Sequence, residues 1–159
     1  MASGKPFIVQ KFKLADISAQ LGTTQERIIQ AAINTMMYVG EQCVKQARDH
    51  GSYNDITGNL RSSIGYAVLR AGRIVHQSKP KAFKGPKGAG SQGVSEGQLA
   101  LIRLAGDYPQ GIVLIVTAGM EYAVYVEDIH HKDVLASSRL KAEVLVPRLL
   151  EAIGLKKKK

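Results

Sequence analysis

From Ile28 onward, apolar residues recur every three or four positions. Ile29, Ile33, Met36, Gly40, Cys43 and Ala47 form one stripe, which Ile28, Ala32, Val39 and Val44 widen. This spacing predicts a helix over Thr24 to Asp49, ~39 Å long at 1.5 Å per residue. Thr23 and Glu26 read as a capping box at its start, a hydroxyl at the N-cap and a carboxylate three positions on. Arg48 and His50 suit the negative end of the helix dipole, and Gly51 ends the helix. Upstream, Lys5 to Leu14 alternates loosely between apolar and basic residues, which fits either an edge strand or an extended arm.

Beyond the helix the period changes. Gly51 to Asp55 reads as a polar turn, and Thr57 to Ile64 as a short helical turn leading into a strand at Gly65 to Leu69. Arg70-Ala71-Gly72 reads as a three-residue hairpin connection to a partner strand at Arg73 to Gln77. Lys79 to Ser95 has no periodicity and four glycines, so a flexible loop is expected there. Ser95 and Gln98 form a second capping box before a short helix, Gln98 to Ala105. Gly111 to Ala118 is continuously apolar, as a strand covered on both faces would be. A short helix over Gly119 to Glu127 and a brief extended piece at Asp133 to Leu135 precede a last helix, Ser137 to Ile153, which Pro147 should kink.

These elements imply an α+β fold: a long N-terminal helix and a C-terminal helix packed on a small, mostly antiparallel sheet. The expected organisation is an N-terminal arm over residues 1–22, one domain over residues 23–155 with a basic loop at 79–95, and a lysine tail at 156–159. A length of 159 residues with 45% hydrophobic and 22% charged residues fits a single globular domain. The longest aliphatic run, Ile112 to Val116, falls far short of the ~20 residues of a membrane helix, so no membrane partner is expected. Met1 to Lys13 contains no apolar stretch of secretory-signal length. Cys43 is the single cysteine, which excludes an internal disulfide and points to synthesis in a reducing cytoplasm.

Charge adds a second feature. The net charge of +9 is concentrated in Lys79, Lys81, Lys84 and Lys87 and in Lys156, Lys157, Lys158 and Lys159. Without these eight, 14 basic residues face 13 acidic ones, so the folded body is nearly neutral. Such segments suit contact with a polyanion, a phosphate or an acidic protein surface; alternatively they only solvate the chain.

Four motifs with chemical potential fail their context. Gly88-Ala89-Gly90-Ser91-Gln92-Gly93 matches a dinucleotide fingerprint, but no apolar strand delivers it. Ser138 and Lys141 match an acyl-serine motif whose companion elements are absent, so Ser137 or Ser138 reads as a helix N-cap. His130 and His131 are adjacent, and adjacent side chains diverge rather than chelate. Cys43 and His50 lie seven residues apart on one helix, too far for a hydrogen bond, which leaves Cys43 a core thiol. No catalytic residue, metal ligand or cofactor site is expected, and a non-enzymatic role follows.

Two stretches stand out in combination: Thr57-Gly58-Asn59-Leu60-Arg61-Ser62-Ser63-Ile64 after a long helix, and Gly119-Met120-Glu121-Tyr122-Ala123-Val124-Tyr125-Val126-Glu127 after an apolar strand. Together, and in this order, they resemble the tail-component family of long-tailed bacteriophages, the tail-completion proteins of the head–tail neck. The resemblance spans about Thr23 to Ile153. It implies a structural virion protein, made in the host cytoplasm, that forms a ring in the neck and joins the head connector to the tail tube. Implied partners are further copies of itself (six in the ring, with twelve the alternative), a head-closure or connector protein, a tail terminator or tail tube protein, and genomic DNA in the channel. Candidate contact residues are Phe7, Val9 and Phe12 on the arm and Tyr122, Tyr125 and Glu127 in the second stretch; simple packing or, for Glu127, helix capping are their alternatives. The competing function is a small cytosolic nucleic-acid-binding protein that uses the basic loop and tail.

Overall fold

A computed structural model of the protein describes residues 7–12, 25–128 and 131–155. In chain order the elements are β1 (Phe7–Phe12), α1 (Gln25–His50), α2 (Asn59–Ser62), β2 (Ile64–Arg70), β3 (Arg73–Gln77), α3 (Ser91–Ala105), β4 (Ile112–Ala118), α4 (Ala123–Asp128) and α5 (Ala136–Ala152). The strands form one antiparallel sheet in the order β1-β4-β2-β3. The fold is α+β, as the periodicities imply.

Strands β2 and β4 form the centre of the sheet, and their alternation divides the core in two. Tyr66, Val68, Ile112, Leu114 and Val116 face α1 and α5, whereas Ala67, Leu69, Val113 and Ile115 face α3. Both faces are covered, which is why β4 is apolar at every position except Thr117. On the larger face, Gly40 of α1 lies against the Tyr66 ring, and a Cβ there would collide with it. The buried Tyr66 hydroxyl donates to Glu41 Oε1 at 2.8 Å. Helices α1 and α5 are joined by the Ser138 hydroxyl, which donates to the Cys43 carbonyl at 2.8 Å.

Several expectations need correction. Residues Phe7–Phe12 pair with β4 from Phe7↔Thr117 to Phe12↔Ile112, so they are an edge strand of the sheet and the domain includes residues upstream of 23. Thr23 of the expected capping box lies outside the described residues; Glu26 pairs instead with Arg70 at 2.7 Å. The hairpin connection is two residues, Ala71 and Gly72, both at positive φ (50° and 80°), which matches the right-handed twist of the strands. Helix α3 begins at Ser91, so Ser95 and Gln98 lie inside it rather than capping it, and the loop ends at Gly90. Its glycine-rich first turns are poor helix formers, but Gly93 and Gly97 seat them on the backbone of Asn59 and Ser63, and this contact overrides propensity. Neither Ser137 nor Ser138 caps α5. Glu127 Oε1 accepts the N–H groups of Leu135 (3.0 Å) and Ala136 (2.8 Å), and Asp133 Oδ1 accepts that of Ser137 (3.1 Å). Helix α4 starts at Ala123, after a turn at Glu121 and Tyr122. Pro147 lies on the solvent side of α5, which continues to Ala152.

Candidate functional site

The four-residue helix α2 is the pivot of the functional surface. Gly58 precedes it at φ 78°, with its Cα against the Phe83 carbonyl, where any Cβ would overlap that oxygen. On one side of α2 lies an open groove of about 690 Å³. Its walls come from two stretches far apart in sequence: Thr57 and Asn59 from the segment Thr57 to Ile64, and Met120, Glu121 and Tyr122 from the segment Gly119 to Glu127. The two stretches also touch directly, since Gly119 N–H donates to the Ser63 carbonyl at 3.1 Å. Asn59 secures the entry to α3: its Oδ1 accepts Gly93 N–H at 3.1 Å, and its Nδ2 donates to Gln92 Oε1 at 3.4 Å.

The groove is acidic. Asp55, Glu96 and Glu121 line it and no basic residue does. Burial pushes the Asp55 carboxyl above the usual aspartate range, although the backbone N–H groups of Arg61, Leu60 and Gly58 and the Arg61 charge pull the other way. Asp55 Oδ1 is buried with no hydrogen-bond partner among the described residues. The half-exposed Tyr122 phenol is also raised, first by burial and further by the Asp55 charge, against the opposing hydrogen bond with Thr57.

On the other side of α2, the segment between β3 and α3 is strapped down rather than free. Phe83 N–H donates to Ser62 Oγ at 2.7 Å, and Ser62 in turn donates to the Gly58 carbonyl at 2.6 Å. Lys87 N–H donates to the Ile56 carbonyl, and Gly85 N–H to that of Gly88, both at 2.9 Å. The glycines expected to make this loop flexible serve close backbone approach instead: Gly85 and Gly88 pack on residues 55–58. Phe83 is half-buried and meets three cations: Arg61 Cζ at 4.3 Å from the ring centroid, Lys81 Nζ at 4.9 Å and Arg48 Cζ at 5.2 Å. Arg48 also donates to the Ile64 carbonyl at 2.6 Å, and burial holds its guanidinium below the ordinary arginine range.

Of the residues expected to make contacts, Lys79, Lys81, Lys84 and Lys87 are all exposed on this strap. Lys156 to Lys159 lie outside the described residues. Phe7, Val9 and Phe12 lie on the edge strand β1, where Val9 packs half-buried on the smaller core; the side chains of Phe7 and Phe12 are outside the description. Tyr122 lines the groove, Glu127 caps α5, and Tyr125 falls on α4 with its side chain outside the description. Sequence reasoning missed Arg48, Arg61 and Phe83 on the basic side and Asp55, Glu96 and Glu121 on the acidic side. One available signal was Phe83 itself, an aromatic set between Lys81 and Lys84.

The remaining motifs acquire ordinary explanations. Gly90 to Gly93 does open a helix, but Gly88 belongs to a short β-bridge with Gly85, so no strand delivers the fingerprint. Cys43 is fully buried, and burial pushes its thiol up to about 11. His130 lies outside the described residues, and among those described no group of three or more His, Cys, Asp or Glu is placed to hold a metal. No described helix is long and apolar enough to cross a membrane. No protein-family profile, curated protein or solved structure matches the chain.

Proposed function

We propose that the protein is a non-enzymatic structural component of a phage particle, a ring-forming adaptor in the head–tail neck. One observation carries this reading: the two stretches that resemble the tail-completion family, far apart in sequence, meet through Gly119 and Ser63 and border a single groove. The surface is compatible with assembly. Leu99 and Ile102 are 54% and 61% exposed on α3, and Leu140 and Val144 are 65% and 67% exposed on α5. These helices cover opposite faces of the sheet, so each copy offers two unlike apolar flanks, which a head-to-tail ring requires. Strands β1 and β3 form the sheet's edges and offer backbone groups for pairing with a neighbouring protein of the connector or tail.

The test is sedimentation of native particles. Cells that carry the gene are lysed, particles are banded on a density gradient, and fractions are probed with an antibody to the chain. Protein in the intact-particle band at a low, constant copy number is expected. Protein confined to soluble or nucleic-acid fractions overturns the adaptor role.

A further inference from the structure

We propose that the Phe83 platform is a binding site for the phosphate backbone of nucleic acid, read without regard to base sequence. This inference does not rest on the adaptor role. Arg48, Arg61 and Lys81 converge on one ring, so any two of these charges lie within about 10 Å of each other. At that spacing, near the Debye length of physiological salt, like charges still repel. Local acids answer only part of the charge. Asp49 pairs with Arg61 at 3.2 Å and also acts on Arg48, Asp55 lies within reach of the Arg61 charge, and Glu41, which faces Arg48, is engaged by the Tyr66 hydroxyl. Lys79, Lys81, Lys84 and Lys87 have no ion-pair partner among the described residues. The Nε atoms of both arginines are buried without a hydrogen-bond partner there.

Shape favours a strand of phosphates. A second groove, of about 590 Å³, runs beside the platform and is lined by Arg48, His76, Gln77, Lys79 and Lys81, with Glu41 the acid among its walls. Backbone hydrogen bonds at Phe83 and Lys87 pin the strap that carries the lysines, so little backbone ordering is left to binding. The cations that cover Phe83 leave its ring poorly placed to stack on bases, so contact is electrostatic. Phosphates repeat every 3.4 Å of rise along a strand, so a cluster about 10 Å across spans two or three of them, and Lys79, Lys84 and Lys87 on the strap bring the contacts to about five or six. The acidic groove beyond α2 repels the same polyanion and confines it to this side.

The experiment uses the full chain and a fluorescently labelled 30-base-pair duplex of random sequence, with anisotropy measured from 50 to 200 mM NaCl. Affinity should fall linearly on a log–log plot against salt, with a slope of about −4 to −6. The variant Lys79→Gln/Lys81→Gln/Lys84→Gln changes exposed side chains only, so its melting temperature should match the parent's. Its affinity at 50 mM salt should fall by about 30-fold or more and its slope should shrink by about three, near one unit per lost contact. Changing Lys156 to Lys159 to glutamine should leave most of the slope in place. Phe83→Leu, which keeps every charge but loosens their support, should weaken binding several-fold. The proposal is overturned if the strap variant binds like the parent, if the tail variant abolishes binding, or if polyglutamate of equal charge binds more tightly than the duplex.

Discussion

On one face of α2, three carboxylates border a groove that contains no base; on the other, three cations crowd a single phenylalanine ring. The two surfaces differ in construction as well as in sign. The acidic side is held by side-chain capping: Asn59 fixes the first turn of α3, and Asp55 meets backbone N–H groups of Gly58, Leu60 and Arg61 at the start of α2. The basic side is held by backbone-to-backbone packing at Gly58, Gly85 and Gly88. Opposite potentials therefore sit side by side in one small domain, because a single turn of helix sends Asn59 one way and Arg61 the other. The groove should tolerate side-chain changes with graded losses, whereas the platform should fail abruptly when its backbone contacts are blocked.

The largest effect is expected from Gly58→Ala, which removes the support common to both surfaces. Alanine at φ 78° is strained, and its methyl would also overlap the Phe83 carbonyl, a backbone atom that cannot turn aside. A loss of about 4 kcal/mol is expected, or a fall in Tm of roughly 10 °C for a chain of this size. Calorimetry checks it. A fall below about 3 °C would show that the strap can lift off without disturbing α2, and the abrupt-failure account would be wrong.

The core beneath both surfaces provides the next test. Cys43 has a thiol raised from 9.0 to about 11, because burial disfavours the thiolate. The unfolded thiol ionises first, so the folded state retains more protons between pH 9 and 11 and stability falls as pH rises through that window. Two pKa units correspond to about 2–3 kcal/mol at most. Tyr53 and Tyr66, also raised by burial, contribute in the same direction. Urea midpoints at pH 8 and 11 should therefore separate less in Cys43→Ala than in the parent. Equal separation in the two proteins would mean that Cys43 ionises in the folded state as readily as in the unfolded chain.

Asn59→Ala should break only the acidic side. Loss of the cap on Gly93 N–H is worth about 1 kcal/mol. Duplex binding at the platform should stay within about twofold of the parent, because Arg61 and the strap are unaffected. A larger loss of binding would show that the two surfaces are coupled through α2 rather than merely adjacent.

Much of the fold was legible because its cause is local and periodic. The stripe from Ile29 to Ala47 needs one neighbouring layer to explain it, and the unbroken apolar run from Ile112 to Val116 needs one on each face. Helix α3 was legible only from Gln98 onward, because the signal for Ser91 to Gly97 lies elsewhere, in backbone at Asn59 and Ser63 that glycine alone can approach. The same glycines made the strap read as flexible. Of the functional surface, the four exposed lysines were visible as a charge run, but Arg48 had a sufficient local role at a helix end and Arg61 lay inside a stretch read for its turn. Their convergence on Phe83 is a tertiary fact with no periodic trace. The acidic groove left still less signal, since Asp55, Glu96 and Glu121 come from three separate segments.

The smallest expected effect concerns the charge of that groove. The Asp55 carboxyl is raised in the folded protein, with burial the leading cause. The folded state therefore binds more protons than the unfolded chain between the two pKa values, and stability declines as pH rises through that interval, remaining lower above it. In Asp55→Asn this contribution is gone, and comparing the variant with the parent cancels the contributions the two proteins share. The stability of the parent relative to the variant should therefore become less favourable from pH 4 to pH 7, as read from urea midpoints at matched ionic strength. A relative gain over that range would mean that the N–H groups of Arg61, Leu60 and Gly58 outweigh burial. Asp55 would then be a stabilising anionic cap, and the groove would owe its uncompensated charge to Glu96 and Glu121 alone.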